Sequence, residues 1–351
     1  MQPPVHHILP LTTIVRERTL PIAGKVSARV HQKVGAADVI AEASWAREHI
    51  LLDVARILRL PTARADDLIE CRVGDQLPAG AQIAVGRGLI PRRVRAPREG
   101  HVVAVGGGQV LLEVGETRLE LRAGFPGTVV EIIPDRGAVI QTTGALIQGI
   151  WGNQRSDSGL LVNLVEKPDG RLTASRLDVS LRGSIFLAGT IREAETFQAA
   201  AEVPVRGLIL SSIFPTLIPV AREMRYPIVV TDGFGLLPMN GQAYRLLSTN
   251  AKREVSLNAE PYDRYTGARP EIIIPLPVTS PPETPQEVTA FASGQAVRMR
   301  RAPSLGEVGT LLEIRPGLTL LPSGLRAEAG VVKIENGETV IVPLVNLEVV
   351  G

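Results

Sequence analysis

The stretch Gly306-Glu-Val-Gly309-Thr-Leu-Leu-Glu-Ile314, followed by Val331-Val-Lys-Ile-Glu-Asn-Gly-Glu-Thr-Val-Ile-Val-Pro343, decides how the end of this chain is read. The first run is a turn leading into a strand, and the second is a hairpin, because β-branched residues dominate and glycines punctuate them. Gly294-Gln-Ala-Val-Arg-Met-Arg-Arg-Ala-Pro303 supplies an opening strand, and Leu344-Val-Asn-Leu-Glu-Val-Val350 a closing one. Residues 293–351 therefore form one small all-β unit. Ahead of it, Thr279-Ser-Pro-Pro-Glu-Thr-Pro-Gln-Glu287 reads as a semi-stiff linker within residues 279–292.

Residues 183–278 have a different grammar. Ser184-Ile-Phe-Leu-Ala-Gly189, Arg206-Gly-Leu-Ile-Leu-Ser211 and Tyr226-Pro-Ile-Val-Val-Thr231 are continuous apolar runs, each followed by a helical segment of roughly ten residues. Strands alternating with helices predict an α/β three-layer domain with a mostly parallel sheet, buried on both faces. Glu254-Val-Ser-Leu-Asn258 and Glu271-Ile-Ile-Ile-Pro275 finish it. Residues 153–182 are expected to cross over as a strand, Leu160–Val165, and a hairpin at Pro168-Asp-Gly170.

The first 152 residues repeat a phrase: glycine, alternating apolar residues, then a second glycine turn. It occurs around Gly24 to Gly35, in Val73-Gly-Asp-Gln-Leu-Pro-Ala-Gly80-Ala-Gln-Ile-Ala84, in Arg95-Ala-Pro-Arg-Glu-Gly100-His-Val-Val-Ala-Val105 and in Gly127–Gly137. A helical insert near 44–70 interrupts it, with Ser44 as N-cap, Leu51, Val54, Ala55 and Leu58 at helical spacing, and Thr62 capping a second short helix.

These phrases resemble known modules. The 293–351 segment resembles the KOW/SH3-like barrels of NusG-type transcription factors and of some ribosomal proteins. That resemblance implies a C-terminal SH3-like β-barrel that binds without doing chemistry. It also implies attachment to a protein complex, RNA polymerase or the ribosome; a nucleic-acid partner would rest on the arginine runs below and not on the charge-balanced barrel segment. Residues 1–152 resemble the barrel-sandwich hybrid of lipoyl-like domains. Lipoylation or biotinylation would need Asp-Lys-Ala or Met-Lys-Met, and Lys25 and Lys33 sit in neither, so no cofactor is expected.

Composition narrows the classes further. A single cysteine, Cys71, excludes an intrachain disulfide and Cys-based metal sites, and it fits a reducing, cytoplasmic setting. No run of about 18 apolar residues offers a membrane span, and no signal peptide is recognised at the start. Net charge is +2, and 33 of the 38 cations are arginine. The densest run holds Arg87, Arg92, Arg93, Arg95 and Arg98 against Glu99, with Arg298, Arg300 and Arg301 as a smaller second patch. Clustered arginines neutralise phosphates or other acidic surfaces, which makes these eight the expected partner contacts.

The competing expectation is a small-molecule sensor or unusual enzyme. It places a small-anion or nucleotide pocket at the carboxyl ends of the α/β strands: Gly189, Thr190, Ser211, Ser212, Thr231, Asp232 and Gly233. No phosphate-binding glycine motif follows any strand, and residues 183–351 lack histidine, the commonest general base. His6 and His7 are the only close pair of histidines, too few for a metal, and are expected in a loose N-terminal strand. The inventory points to binding rather than catalysis.

Overall fold

The continuous apolar strands of residues 183–278 are buried on both faces in the computed structural model, which describes residues 5–87, 91–263, 267–278, 282, 284–285, 289–334 and 337–351. Four parallel strands lie side by side in the order Ile228–Phe234, Gly207–Ile213, Ser184–Ile191, Ser156–Asn163. Successive side chains point to opposite faces of a strand. Ile185, Leu187, Ile209 and Val229 accordingly pack on Ala243 and Leu247 of the helix Gly241–Thr249. Phe186, Ala188, Leu208 and Leu210 pack on Phe197, Ala200 and Ala221 of the helices Ala194–Glu202 and Ile218–Glu223. Helices thus cover both faces of the parallel strands.

The sheet does not stop there. Glu254–Asn258 and Glu271–Pro275 continue it antiparallel, and Glu271–Pro275 pairs with Gly137–Gln148. Gly137–Gln148 in turn pairs with Ile8–Thr19 and Gly127–Ile133, so one eleven-stranded sheet spans the boundary expected at residue 152. The reason is length: the twelve-residue strand Gly137–Gln148 outreaches its hairpin partner, and its far half is left to pair elsewhere. The 168–170 hairpin is also absent. Gly170 N–H closes a turn on Lys167, and Arg171 and Leu172 lie across Gly189 and Thr190 instead.

A five-stranded sheet stands beside this one, built on the antiparallel pair Val39–Asp53 and Gln109–Arg122. Ser44 sits inside that pair and caps nothing. Pairing residue by residue with Gln109–Arg122 outweighs the local helical pattern. Helix begins only at Val54, where the Asp53 side chain accepts from Arg56 N–H, and it ends at Arg59 in the left-handed region. The second short helix, Thr62–Asp66, is preceded by Pro61 with no side-chain cap. The Gly106–Gly108 turn joins Gly100–Gly106 to Gln109–Arg122 in an antiparallel hairpin.

The third sheet gathers the C-terminal strands in the order Val5–His6, Leu347–Val350, Ala296–Met299, Val308–Ile314, Ala329–Ile334, Thr339–Pro343. Its core is Val297, Met299, Leu311, Val332, Leu347 and Val349. The N-terminal Val5–His6 runs parallel to the last strand, which ties the two ends of the chain together. Among the described residues its pairings leave two edges, so no closed barrel forms. Overall the protein is β-rich with several sheets.

Candidate functional site

Arg298 and Glu348 face each other across neighbouring antiparallel strands, a register that puts both side chains on one face. That face is turned toward the carboxyl end of Ile228–Phe234, where Asp232 stands. Arg298 is 4% exposed and Glu348 2%, and the guanidinium Nε donates to Glu348 Oε1 at 2.5 Å. Its Nη1 lies 3.4 Å from Asp232 Oδ1 and from the Thr231 carbonyl. Its Nη2 donates to His6 Nδ1 at 2.8 Å. An arginine has no acceptor, so His6 Nδ1 carries the lone pair and the ring is neutral. Burial first, and Arg298 second, hold the His6 pKa well below the usual histidine range.

The cluster's other members follow from the same packing. Burial pushes the Asp232 carboxyl above its ordinary range, against the pull of Arg298, while Thr231 Oγ1 lies 2.6 Å from its Oδ2. Arg300 Nε approaches Glu348 Oε2 at 3.8 Å from the solvent side. Arg269 is 8% exposed and stacks its guanidinium 4.6 Å above the Tyr262 ring. Burial lowers the Arg269 pKa, with Glu348 opposing. No hydrogen bond or ion pair holds the Arg269 guanidinium among the described residues.

These groups line a cavity of about 330 Å³ at the seam between the C-terminal sheet and the strand ends, with Ile150, Leu237, Tyr262 and Met299 as its apolar wall. Arg269 also borders a larger cleft of about 710 Å³ beside Arg16, Arg18, Ser256 and Glu271. In that cleft the charges neutralise one another: Arg16 binds both oxygens of Glu271, from Nη2 to Oε2 at 2.8 Å and from Nε to Oε1 at 3.1 Å, and Arg18 lies 3.7 Å from Glu260. The seam cavity differs, because three guanidinium groups there face two carboxylates.

The expected pocket residues separate into two groups. Asp232 and Gly233 border the seam cavity. Thr231 helps hold Asp232. The others do not open onto it. Gly189 has φ +64°, and a Cβ there would meet the Gly170 carbonyl at 2.2 Å, so the 168–172 crossing segment covers it and Thr190. Ser212 Oγ lies 3.0 Å from the Gly235 and Leu237 carbonyls and accepts from Leu237 N–H, which fastens the loop after the strand. Ser211 is fully buried, and its hydroxyl has no hydrogen-bond partner among the described residues.

The arginine patches also divide. Arg298 was grouped with Arg300 and Arg301 as a surface contact, but its burial and its pairing with Glu348 and Asp232 make it internal. Arg300 and Arg301 remain exposed. Arg93 and Arg95 flank buried Val94 on Arg93–Arg95, which pairs with Gln82–Val85, so both point outward on one side. Arg92 donates to the Ile57 carbonyl, Arg98 pairs with Glu48, and Arg87 is exposed.

His6, Arg269 and Glu348 were missed as site residues. His6 is 1% exposed in a paired strand rather than loose. The run Leu347-Glu-Val-Val350 gave no signal for Glu348, because alternation alone puts its carboxylate on a solvent face, and only the packing of that face buries it. No protein-family model matches this sequence, and no curated protein matches it. Among the described residues no helix is long and apolar enough to cross a membrane, and no three His, Cys, Asp or Glu side chains converge as a metal site.

Proposed function

We propose that this protein is a non-enzymatic binding factor that docks on an acidic macromolecular partner through the arginine-rich face of residues 54–106. The observation that carries it is the charge of that segment: nine arginines stand against five carboxylates, a surplus of four in a chain whose net charge is +2. Arg87, Arg93 and Arg95 are exposed, and no ion pair holds them among the described residues. Arg56, Arg59 and Arg64 are exposed on the short helices, of which Val54–Leu58 packs against Arg93–Arg95. Unpaired exposed guanidinium groups on one side favour phosphates or carboxylates in bidentate contact.

The C-terminal sheet is, in this proposal, a KOW/SH3-like module and residues 1–152 a barrel-sandwich-hybrid region. Support comes from the quoted sequence phrases and from the short antiparallel strands around one small core. In this proposal the chain works in a cytoplasmic transcription or translation complex, with RNA polymerase or the ribosome as the partner.

The test is purification of the tagged chain from its host at two salt concentrations, with and without nuclease. Arg93→Glu and Arg95→Glu are compared with the parent. The variants are expected to lose the partner while keeping the parent's melting temperature. For a nucleic acid, each lost phosphate contact should reduce the salt slope by about 0.9. Unchanged recovery and unchanged salt dependence in the double variant refute the proposal.

A further inference from the structure

We propose that the seam cavity is a binding site for a small organic oxyanion, a carboxylate or phosphate monoester carrying an apolar body. This goes beyond partner docking, since the site lies away from the 54–106 arginines and uses different residues. The cavity of about 330 Å³ falls at the lower end of the ~300–1,000 Å³ typical of small-ligand sites. It sits beyond the carboxyl end of a parallel strand, where ligands of α/β sheets gather.

Charge decides the ligand's polarity. Arg298 is spoken for by Glu348 and Asp232. Arg300 shares Glu348 only at 3.8 Å. Arg269 has the Tyr262 ring on one face and no carboxylate within salt-bridge distance among the described residues. An arginine that is 8% exposed and whose guanidinium has no ion-pair partner among the described residues is costly, and an anion entering beside it removes the cost.

Shape and polarity decide the rest of the ligand. Ile150, Phe234, Leu237, Tyr262, Met299 and Leu305 supply an apolar wall. Phe234 and Leu305 are 44% exposed, which leaves the mouth open to solvent. A bare inorganic ion would leave that wall wet. An oxyanion on Arg269 and Arg300 with its apolar body against Phe234 and Tyr262 fills both needs. Bidentate pairing of planar guanidinium and oxyanion fixes the orientation.

The experiment titrates the full chain by calorimetry and melting temperature with four probes: benzoate, phenyl phosphate, inorganic phosphate and benzyl alcohol. Benzoate or phenyl phosphate should bind and raise the melting temperature, the stronger of the two telling carboxylate from phosphate. Inorganic phosphate should bind about tenfold more weakly or worse, and benzyl alcohol not measurably. Arg269→Gln should lose at least about tenfold in affinity, with no fall in the melting temperature of the ligand-free protein. A structural strut would behave in the opposite way. Binding of neither organic anion, or unchanged binding in Arg269→Gln, overturns the proposal. If Arg269→Gln does not fold, Arg300→Gln at the rim decides: weaker phenyl phosphate or benzoate binding supports the site, and unchanged binding overturns it.

Discussion

Replacing Glu348 by Gln tests whether the buried charge cluster fastens the C-terminal sheet to the strand ends. The amide keeps the shape and one acceptor but removes the charge opposite Arg298. Arg298, 4% exposed, then keeps one negative charge, Asp232 at 3.4 Å, beside the neutral acceptors Thr231 carbonyl at 3.4 Å and His6 at 2.8 Å. Breaking a buried ion pair by removing one partner costs about 3–5 kcal/mol, because the remaining charge stays desolvated. Asp232 retains part of the attraction, so the lower end, about 3 kcal/mol, is expected. At 1.4 kcal/mol per decade this is a rise of about a hundredfold in local opening. Hydrogen exchange of the amides in the ladder between Ala296–Met299 and Leu347–Val350 reads it directly. Amides of the Gln109–Arg122 strand, in another sheet, should be unaffected. The double variant Arg298→Met with Glu348→Leu should recover most of the protection, since an apolar pair of similar volume removes both charges together. A loss below about threefold in Glu348→Gln, under ~0.7 kcal/mol, refutes the reasoning. The cluster would then be effectively solvated and would fasten nothing.

Three further outcomes are expected. Burial holds the His7 pKa down at about 4 against 6.5 in the unfolded chain, so the unfolded state binds the extra proton and stability falls as pH drops from about 6.5 toward 4. Between pH 7.5 and pH 5 this costs about 2 kcal/mol, and His7→Phe should flatten that part of a urea-midpoint-against-pH curve, whereas an equally steep curve counts against it. Gly189→Ala combines φ +64° with a 2.2 Å contact to Gly170, and a loss of at least about 2 kcal/mol is expected in urea unfolding. A neutral result would mean that the 168–172 segment moves aside freely. Asn153→Ala leaves the Ala221 and Tyr226 carbonyls without its amide and Ile228 N–H without its acceptor, at a cost of about 3 kcal/mol, and a melting temperature equal to the parent's would contradict it.

The sequence by itself determined which segments are strand and helix in residues 183–278, because the apolar runs are too short for buried helices, rich in β-branched residues and bounded by Gly, Pro and polar turns. It also located the exposed arginines near 87–98 and the small β unit at the end of the chain, whose patterns are local. It started the helix too early, at Ser44: residues 44–53 pair with a strand some sixty to seventy residues away, while Val54, Ala55 and Leu58 do form a short helix. The candidate site was legible only in halves. Asp232 was named for a ligand and Arg298 for a partner, and no pattern along the chain joins residues 66 apart. Tertiary structure alone decided that they meet, that His6 and Glu348 complete the cluster, and that Arg269 has no carboxylate within salt-bridge distance among the described residues. The physical reason is that burial and charge pairing are properties of the packed sheets. A residue's neighbours in sequence set its backbone, while its neighbours across the seam set its desolvation and partners.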